Sequence, residues 1–241
     1  MAHTRHSPSD TGATPPAAGP SLLEEFASTV AHELATPLAV IQTATETAIH
    51  LGDEVGAEEQ RRLLDVIRRN SNLAVLLLRR LGLARDVEAG TVALTLEHVD
   101  LAQLVAESTD DLRTVVLDDH EVNVLVRDEP KIEADETAIR EIIFNLLSNA
   151  AKYSGSRAPI EVAISTSDHI ASVVVRNHGS GVTPGDTERI FEKFRQLDAT
   201  SPGAGLGLFI SRGLARAHGG DLLVRPATDE GSEFELQLPL P

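Results

Sequence analysis

The 241-residue chain has no cysteine and no tryptophan, and aromatic residues make up only 3% of it. Without thiols there is no disulfide framework, no thiolate metal site and no cysteine nucleophile. Positive charge is scarce: 21 Lys and Arg stand against 37 Asp and Glu, a formal net charge of −16. A balance that acidic argues against a general nucleic-acid surface, which needs basic patches to neutralise phosphate. Long apolar runs are missing as well. The longest clean run, Leu73–Leu78, falls far short of the ~20 residues a membrane span requires, and residues 1–20 lack the apolar stretch of a signal peptide. The sole methionine is Met1, so the chain reads either as a whole reading frame or as a piece of something longer. The expected location is cytoplasmic, as a free protein or as the cytoplasmic part of a membrane sensor.

What is present is ordinary globular composition, 41% apolar and 24% charged, in a length suited to one or two domains. Residues 1–20 are rich in Pro, Ser, Thr, Ala and Gly with no large apolar side chain beyond Met1, which predicts a disordered tail. From Ser21 the pattern turns helical. Leu23, Ala27, Val30, Leu34, Pro37, Ile41, Ala44 and Ala48 follow four-three spacing, and so do Leu63, Ile67, Asn70, Ala74, Leu77, Leu81 and Ala84. Two such stripes joined by a polar loop near Gly52–Gly56 predict an antiparallel helical hairpin over residues 21–88. Val66, Leu73, Leu76 and Leu83 widen the second stripe beyond what one partner helix covers. The expectation is a homodimer that forms a four-helix bundle; the alternative is a hairpin packed on its own second domain.

Beyond Gly90 the reading is an α/β sandwich over residues 91–241, with helices on one face of a mostly antiparallel sheet. Strands are expected at Thr91–His98, Glu121–Arg127, Lys131–Ala134, Ile160–Ser165, Ile170–Arg176, Asp221–Arg225 and Ser232–Leu238. Asp100 is placed to cap a helix to about Leu117. Asp135 caps one of about 18 residues whose apolar face carries Ile139, Ile142, Ile143, Leu146, Leu147 and Ala150. A last helix runs Leu206–His218 and stops at Gly219-Gly220.

Two groups of residues stand out from this scaffold. His32 lies two positions from both Val30 and Leu34, so at ~100° per residue it points away from the stripe and toward solvent. Glu33 follows it, Thr36 shares its face one turn on, and Pro37 removes a backbone donor and is expected to bend the helix. The second group lies in the α/β region. Asn145 and Asn149 share a helix face with Lys152 close by; amide oxygens can ligate a hard cation such as Mg²⁺ and an ammonium neutralises phosphate. Asn177-His178-Gly179-Ser180-Gly181 follows a strand. Ile190-Phe191-Glu192-Lys193-Phe194-Arg195 carries two cations. Gly203-Ala204-Gly205-Leu206-Gly207 opens a helix, whose free N–H groups and positive dipole end suit a phosphate. There is no Walker loop and no protein-kinase glycine loop.

The run Phe26–Leu38, with its core His-Glu-Leu-Ala-Thr-Pro-Leu, resembles the phosphoacceptor box of the sensor histidine kinases of two-component systems. The later runs resemble, in order, the asparagine box, first glycine box, phenylalanine box and second glycine box of the Bergerat-type (HATPase_c) ATPases, which include those kinases, gyrase, Hsp90 and MutL. The resemblance covers about residues 22–241. It implies an ATP-dependent autokinase that phosphorylates His32 and passes the group to an aspartate of a response-regulator receiver domain. Glu33 is then the proton acceptor, and Thr36 the residue that orients water for dephosphorylating the regulator. It also implies ATP and Mg²⁺ as cofactors, with Asn149 the metal ligand, Asn145 its support, Lys152 at the phosphates and Tyr153 against adenine. Gly179 and Gly181 belong to the first glycine box of the nucleotide site, Lys193 and Arg195 clamp the terminal phosphates beside Phe194 of the phenylalanine box, and Gly203, Gly205, Leu206 and Gly207 cradle them. About Thr183–Pro202 becomes a lid. Two departures are plain. Ala35 replaces the usual Arg, and Asn177 stands where the family has an adenine-reading Asp. A serine kinase of the anti-sigma type and a non-catalytic degenerate kinase are the alternatives.

Overall fold

The computed structural model describes residues 22–51, 56–113, 116–117, 120–196, 205–226 and 231–241. Within them, the side chains of residues 22–30, 32, 51 and 226 are left aside. The expected tail and the loop near Gly52–Gly56, apart from Gly56, lie outside the described residues.

Two long helices come first, α1 (Leu22–Leu51) and α2 (Ala57–Ala89). Helix α1 is continuous through Pro37, which is buried. Leu34 and Pro37 of α1 meet Leu73, Leu76 and Leu77 of α2 around one cavity. Farther along α1, Ala39–Thr47 meets Leu63 and Val66, so the helices run antiparallel. The expected stripe of α2 faces inward: Ala74 and Ala84 are buried and Leu63, Ile67, Asn70, Leu77 and Leu81 half-buried. Gly90 ends α2 in the left-handed conformation (φ 64°) with its N–H returned to Val87 O, as a glycine C-cap does.

The second region holds β1 (Glu97–Asp100), α3 (Leu101–Arg113), β2 (Val122–Val126), β3 (Lys131–Ala134), α4 (Glu136–Tyr153), β4 (Ile160–Ser167), β5 (Ile170–Asn177), α5 (Gly207–Ala217), β6 (Asp221–Pro226) and β7 (Ser232–Pro239), with a short 3-10 turn at Arg189–Phe191. The five-stranded sheet has the order β2-β4-β5-β7-β6. All its pairings are antiparallel except β2 with β4, where Val122 lies opposite Ile160 in parallel register. Strands β1 and β3 form a separate antiparallel pair. Alternation sends Ala171, Val173 and Val175 of β5 and Phe234, Leu236 and Leu238 of β7 to the helix-covered face, as a period of two requires. Against them α4 sets Ile139, Ile142, Ile143, Leu146, Leu147 and Ala150, all buried. Asp135 caps α4, its Oδ1 accepting from Ala138 N at 3.0 Å, and Asp100 caps α3 by accepting from Gln103 N at 3.0 Å.

Two element expectations need correcting. The first strand is Glu97–Asp100, not Thr91–His98, because only these four residues have a partner, β3. Residues before it are extended but tied by side chain, Thr95 N donating to Asp135 Oδ2 at 2.9 Å. Helix α3 ends at Arg113 rather than Leu117. Of the residues that widen the stripe of α2, Leu83 packs on the core of the second region, as does Leu81 of the main stripe, while Leu73 stays exposed. Among the described residues no helix is long and apolar enough to cross a membrane.

Candidate functional site

The strand alternation that buries valines along β5 continues to its last residue, so Asn177 lands on the helix-facing side and is 3% exposed. Ser232, its register partner on β7, is equally buried. These two polar groups sit where β5 and β7 border a cavity of about 920 Å³ between the hairpin and the α/β region. Val182, Ile190, Leu206 and Phe234 give it apolar walls. Helix α4 contributes Asn145, Ser148, Asn149, Lys152 and Tyr153, α1 contributes Glu33, Leu34, Thr36 and Pro37, and α2 contributes Leu73, Leu76, Leu77, Arg80 and Leu81. A largely apolar pocket with a few converging polar groups is the usual form of a small-molecule site.

The polar groups are held by packing. Asn145 is buried and its Nδ2 donates to Ser211 Oγ on α5 at 3.0 Å. This turns Oδ1 toward the start of α5, where a Cβ on Gly207 would lie 2.1 Å from it. Only a residue without a side chain lets the first turn of α5 approach the α4 amide so closely. Gly205 has φ 64° and touches the Phe194–Arg195 backbone, and Phe194 N donates to Gly205 O at 3.0 Å. Lys152 is exposed, its Nζ 4.9 Å from the centroid of the Tyr153 ring. The open first turn of α5, with Leu206 and Gly207 on the cavity, offers N–H donors and a positive dipole end to an anion.

Most of the expected site residues meet here: Glu33, Thr36, Asn145, Asn149, Lys152, Tyr153, Asn177, Gly181, Arg195, Gly205, Leu206 and Gly207 all line the cavity. Three do not. Lys193 turns to α2, paired with Glu88 and lying 5.9 Å from the Phe209 ring centroid, so a phosphate clamp is not its place here. Phe194 packs on the core in a left-handed backbone (φ 64°). Gly179 serves a tight contact instead: its Cβ would be 1.8 Å from Tyr153 O, where Ser154 and Gly179 form an isolated bridge. Gly203 and the His32 side chain lie outside the described residues, as do residues 197–202 of the expected lid. Around the His32 position Thr36 is exposed and Glu33 half-buried.

The sequence reading missed Arg80, Ser148, Asp186 and Ser232. Arg80 lines the cavity from α2 while paired with Glu141 of α4 at 3.3 Å and stacked near Phe144. Nothing in one helix's spacing announces a partner 61 residues away. Asp186 gathers Thr183 Oγ1 at 2.9 Å, Arg189 at 3.4 Å and Arg195 at 3.7 Å. The short Thr-x-x-Asp spacing Thr183–Asp186 was available as a signal for this local pairing.

Comparison with known proteins places this arrangement. The family model of the His Kinase A (phospho-acceptor) domain matches residues 22–88, and that of the histidine kinase-, DNA gyrase B- and HSP90-like ATPase matches residues 134–241. The chain is 31% identical over 223 residues to the probable sensor protein PcoS of Escherichia coli, a match over 90% of this chain and 46% of that protein. It is 29% identical over 227 residues to the sensor histidine kinase MtrB of Mycobacterium leprae, over 91% and 40%. Among solved structures, full-length ShkA in complex with AMPPNP superposes with a TM-score of 0.68 at 26% identity, over 90% of this chain and 46% of that one. The histidine kinase ThkA in complex with the response regulator TrrA shares the fold, with a TM-score of 0.61 at 22% identity over 91% and 62%. The chain belongs to the sensor histidine kinases of two-component systems. It spans about half or less of the length of the two curated relatives described.

Proposed function

We propose that the chain is an ATP-dependent histidine autokinase, with residues 21–88 as dimerisation and phosphotransfer hairpin and 91–241 as catalytic domain. The observation that carries this reading is that one cavity joins the α1 turn around position 32 to the asparagine helix and the glycine-rich start of α5. In the proposed step an imidazole nitrogen of His32 attacks the γ-phosphorus of ATP. The bond from that phosphorus to the bridging oxygen breaks, ADP leaves with the electron pair, and Glu33 takes the ring proton. Phosphoryl transfer needs positioning and charge neutralisation more than covalent help, and the cavity supplies amides, Arg195 and helix N–H groups for that.

Asn149, supported by Asn145, would hold Mg²⁺; amide oxygens are suitable donors to a hard cation, and α4 presents both to the cavity. When bound, the ion neutralises phosphate charge. Tyr153 lies against the base and Lys152 near the phosphates. The phosphoryl group then passes to an aspartate of a response-regulator receiver domain, and Thr36 orients water when that product is hydrolysed. The protomers pair through the hairpin as a homodimer. A phospho-acceptor hairpin upstream of the ATPase sets this chain apart from serine kinases of the anti-sigma type.

The test is incubation of wild type and His32→Gln with γ-labelled Mg-ATP. Acid-labile, alkali-stable label that is absent from the variant is the expected result. Acid-stable label, or none in a wild type that binds ATP, overturns it.

A further inference from the structure

Asn177 offers something a carboxylate at the same place does not. Its side chain is 3% exposed, faces the cavity, and makes no hydrogen bond to any described residue. Ser232, opposite it in the β5–β7 register, is 2% exposed, faces the same cavity and is likewise without a side-chain hydrogen bond among the described residues. A carboxamide on a cavity wall with no protein partner keeps its donor and its acceptor for whatever fills the cavity. The cavity is also lined by Gly181, Val182 and Phe234, with Asp186 and Arg195 among its charged residues. A carboxamide is both donor and acceptor, as is a hydroxyl.

We infer that the site reads the six-position edge of a purine without choosing between adenine and guanine, so that GTP serves as well as ATP. The inference rests on the nucleotide reading above. Adenine presents an amino donor beside an N1 acceptor; guanine presents an O6 acceptor beside an N1–H donor. Asn177 meets the first with Oδ1 accepting and Nδ2 donating, and the second after a half-turn of its amide, as asparagine pairs with base edges elsewhere. Ser232 follows by rotating its hydroxyl. An aspartate would accept the adenine amino group and repel guanine O6, so it would discriminate where Asn177 does not. Pyrimidines place their edge closer to the sugar and fall short of the pair.

Competition against a fluorescent trinitrophenyl-ATP in the presence of Mg²⁺ tests this in wild type, with ATP, GTP and UTP as competitors. GTP is expected within about tenfold of ATP, and UTP weaker than both by more than that. Asn177→Asp is expected to tighten ATP, weaken GTP and move their ratio by about tenfold or more toward ATP. A wild-type preference for ATP over GTP above about a hundredfold overturns the inference. So does UTP competing equally, which means the site reads phosphates alone. An unchanged ratio in a folded Asn177→Asp also overturns it; Asn177→Ala, expected to weaken ATP and GTP alike, serves if the aspartate variant does not fold. Failure of every nucleotide to bind wild type removes the nucleotide reading itself and this inference with it, whereas ATP-selective binding removes only the inference.

Discussion

The two halves of the chain handle their apolar residues in opposite ways. In the α/β half, Leu101, Ile139, Ile142, Leu146, Leu147, Ile160, Ile164 and Leu236 are sealed from solvent at 0% exposure. Among the described residues of the hairpin, those buried are Pro37, Ala44, Ala74 and Ala84, while Leu38, Val40, Ile49, Leu64, Leu73, Val75 and Leu78 stand exposed. One half has a core of its own; the other has a face that fits another copy or the second domain. Apolar surface on this scale marks an interaction site. The difference teaches where stability and association reside: the α/β half carries the first, the hairpin the second.

The comparison breaks hardest at the core. Leu146→Ala is expected to lower unfolding free energy by about 2–5 kcal/mol, the usual cost of a sealed leucine cavity. Denaturant titration checks it, and a change below ~1 kcal/mol would mean that the α/β half is not the stable unit. Next in size is Asn149→Asp, expected to reduce γ-labelling by about a hundredfold or more through altered phosphate and metal geometry while the oligomer stays intact. Undiminished label would contradict the site. The third acts on the hairpin alone: Leu64→Asp with Leu78→Asp is expected to shift sedimentation from dimer to monomer and leave trinitrophenyl-ATP affinity unchanged. A variant still dimeric would move the association surface elsewhere.

The smallest effect concerns Asp221. Burial raises its pKa, but hydrogen bonds from Arg212 and Arg216 and from Leu222 N–H outweigh that and hold it at about 2. Its folded pKa lies below the ordinary value of 3.8, so its stabilising contribution is whole above that value and is lost as pH falls toward about 2. Asp221→Asn is therefore expected to cost about 1 kcal/mol at neutral pH, after allowance for solvent screening, and to flatten the acid limb of stability. Unfolding curves between pH 2 and pH 6 check it.

The sequence made the helices of the α/β half legible because their periods are strong: every residue assigned to the apolar face of α4 is buried, and Asp135 caps it as its side chain predicts. The first strand was misjudged because a strand is defined by its partner, and β3 reaches only four residues. The lining of the cavity was legible where a motif sets the backbone, as at Asn145, Asn149 and Gly207. It was obscure where long-range pairing decides, as when Glu88 draws Lys193 onto α2 and away from the cavity. Arg80 and Ser232 were invisible for the same reason, since each owes its place to a neighbour far away in sequence.

The connection between the halves is short and fastened at both ends. Thr91 N donates to Asp86 O at 2.9 Å, Thr95 N to Asp135 Oδ2 at 2.9 Å, and only Gly90–Leu96 separates α2 from β1. A tether that brief fixes a local concentration, on the order of millimolar or more, between whatever each half carries. Reaction between the halves is then first order in protein, and diluting the sample leaves its rate constant where it was for as long as the assembly holds.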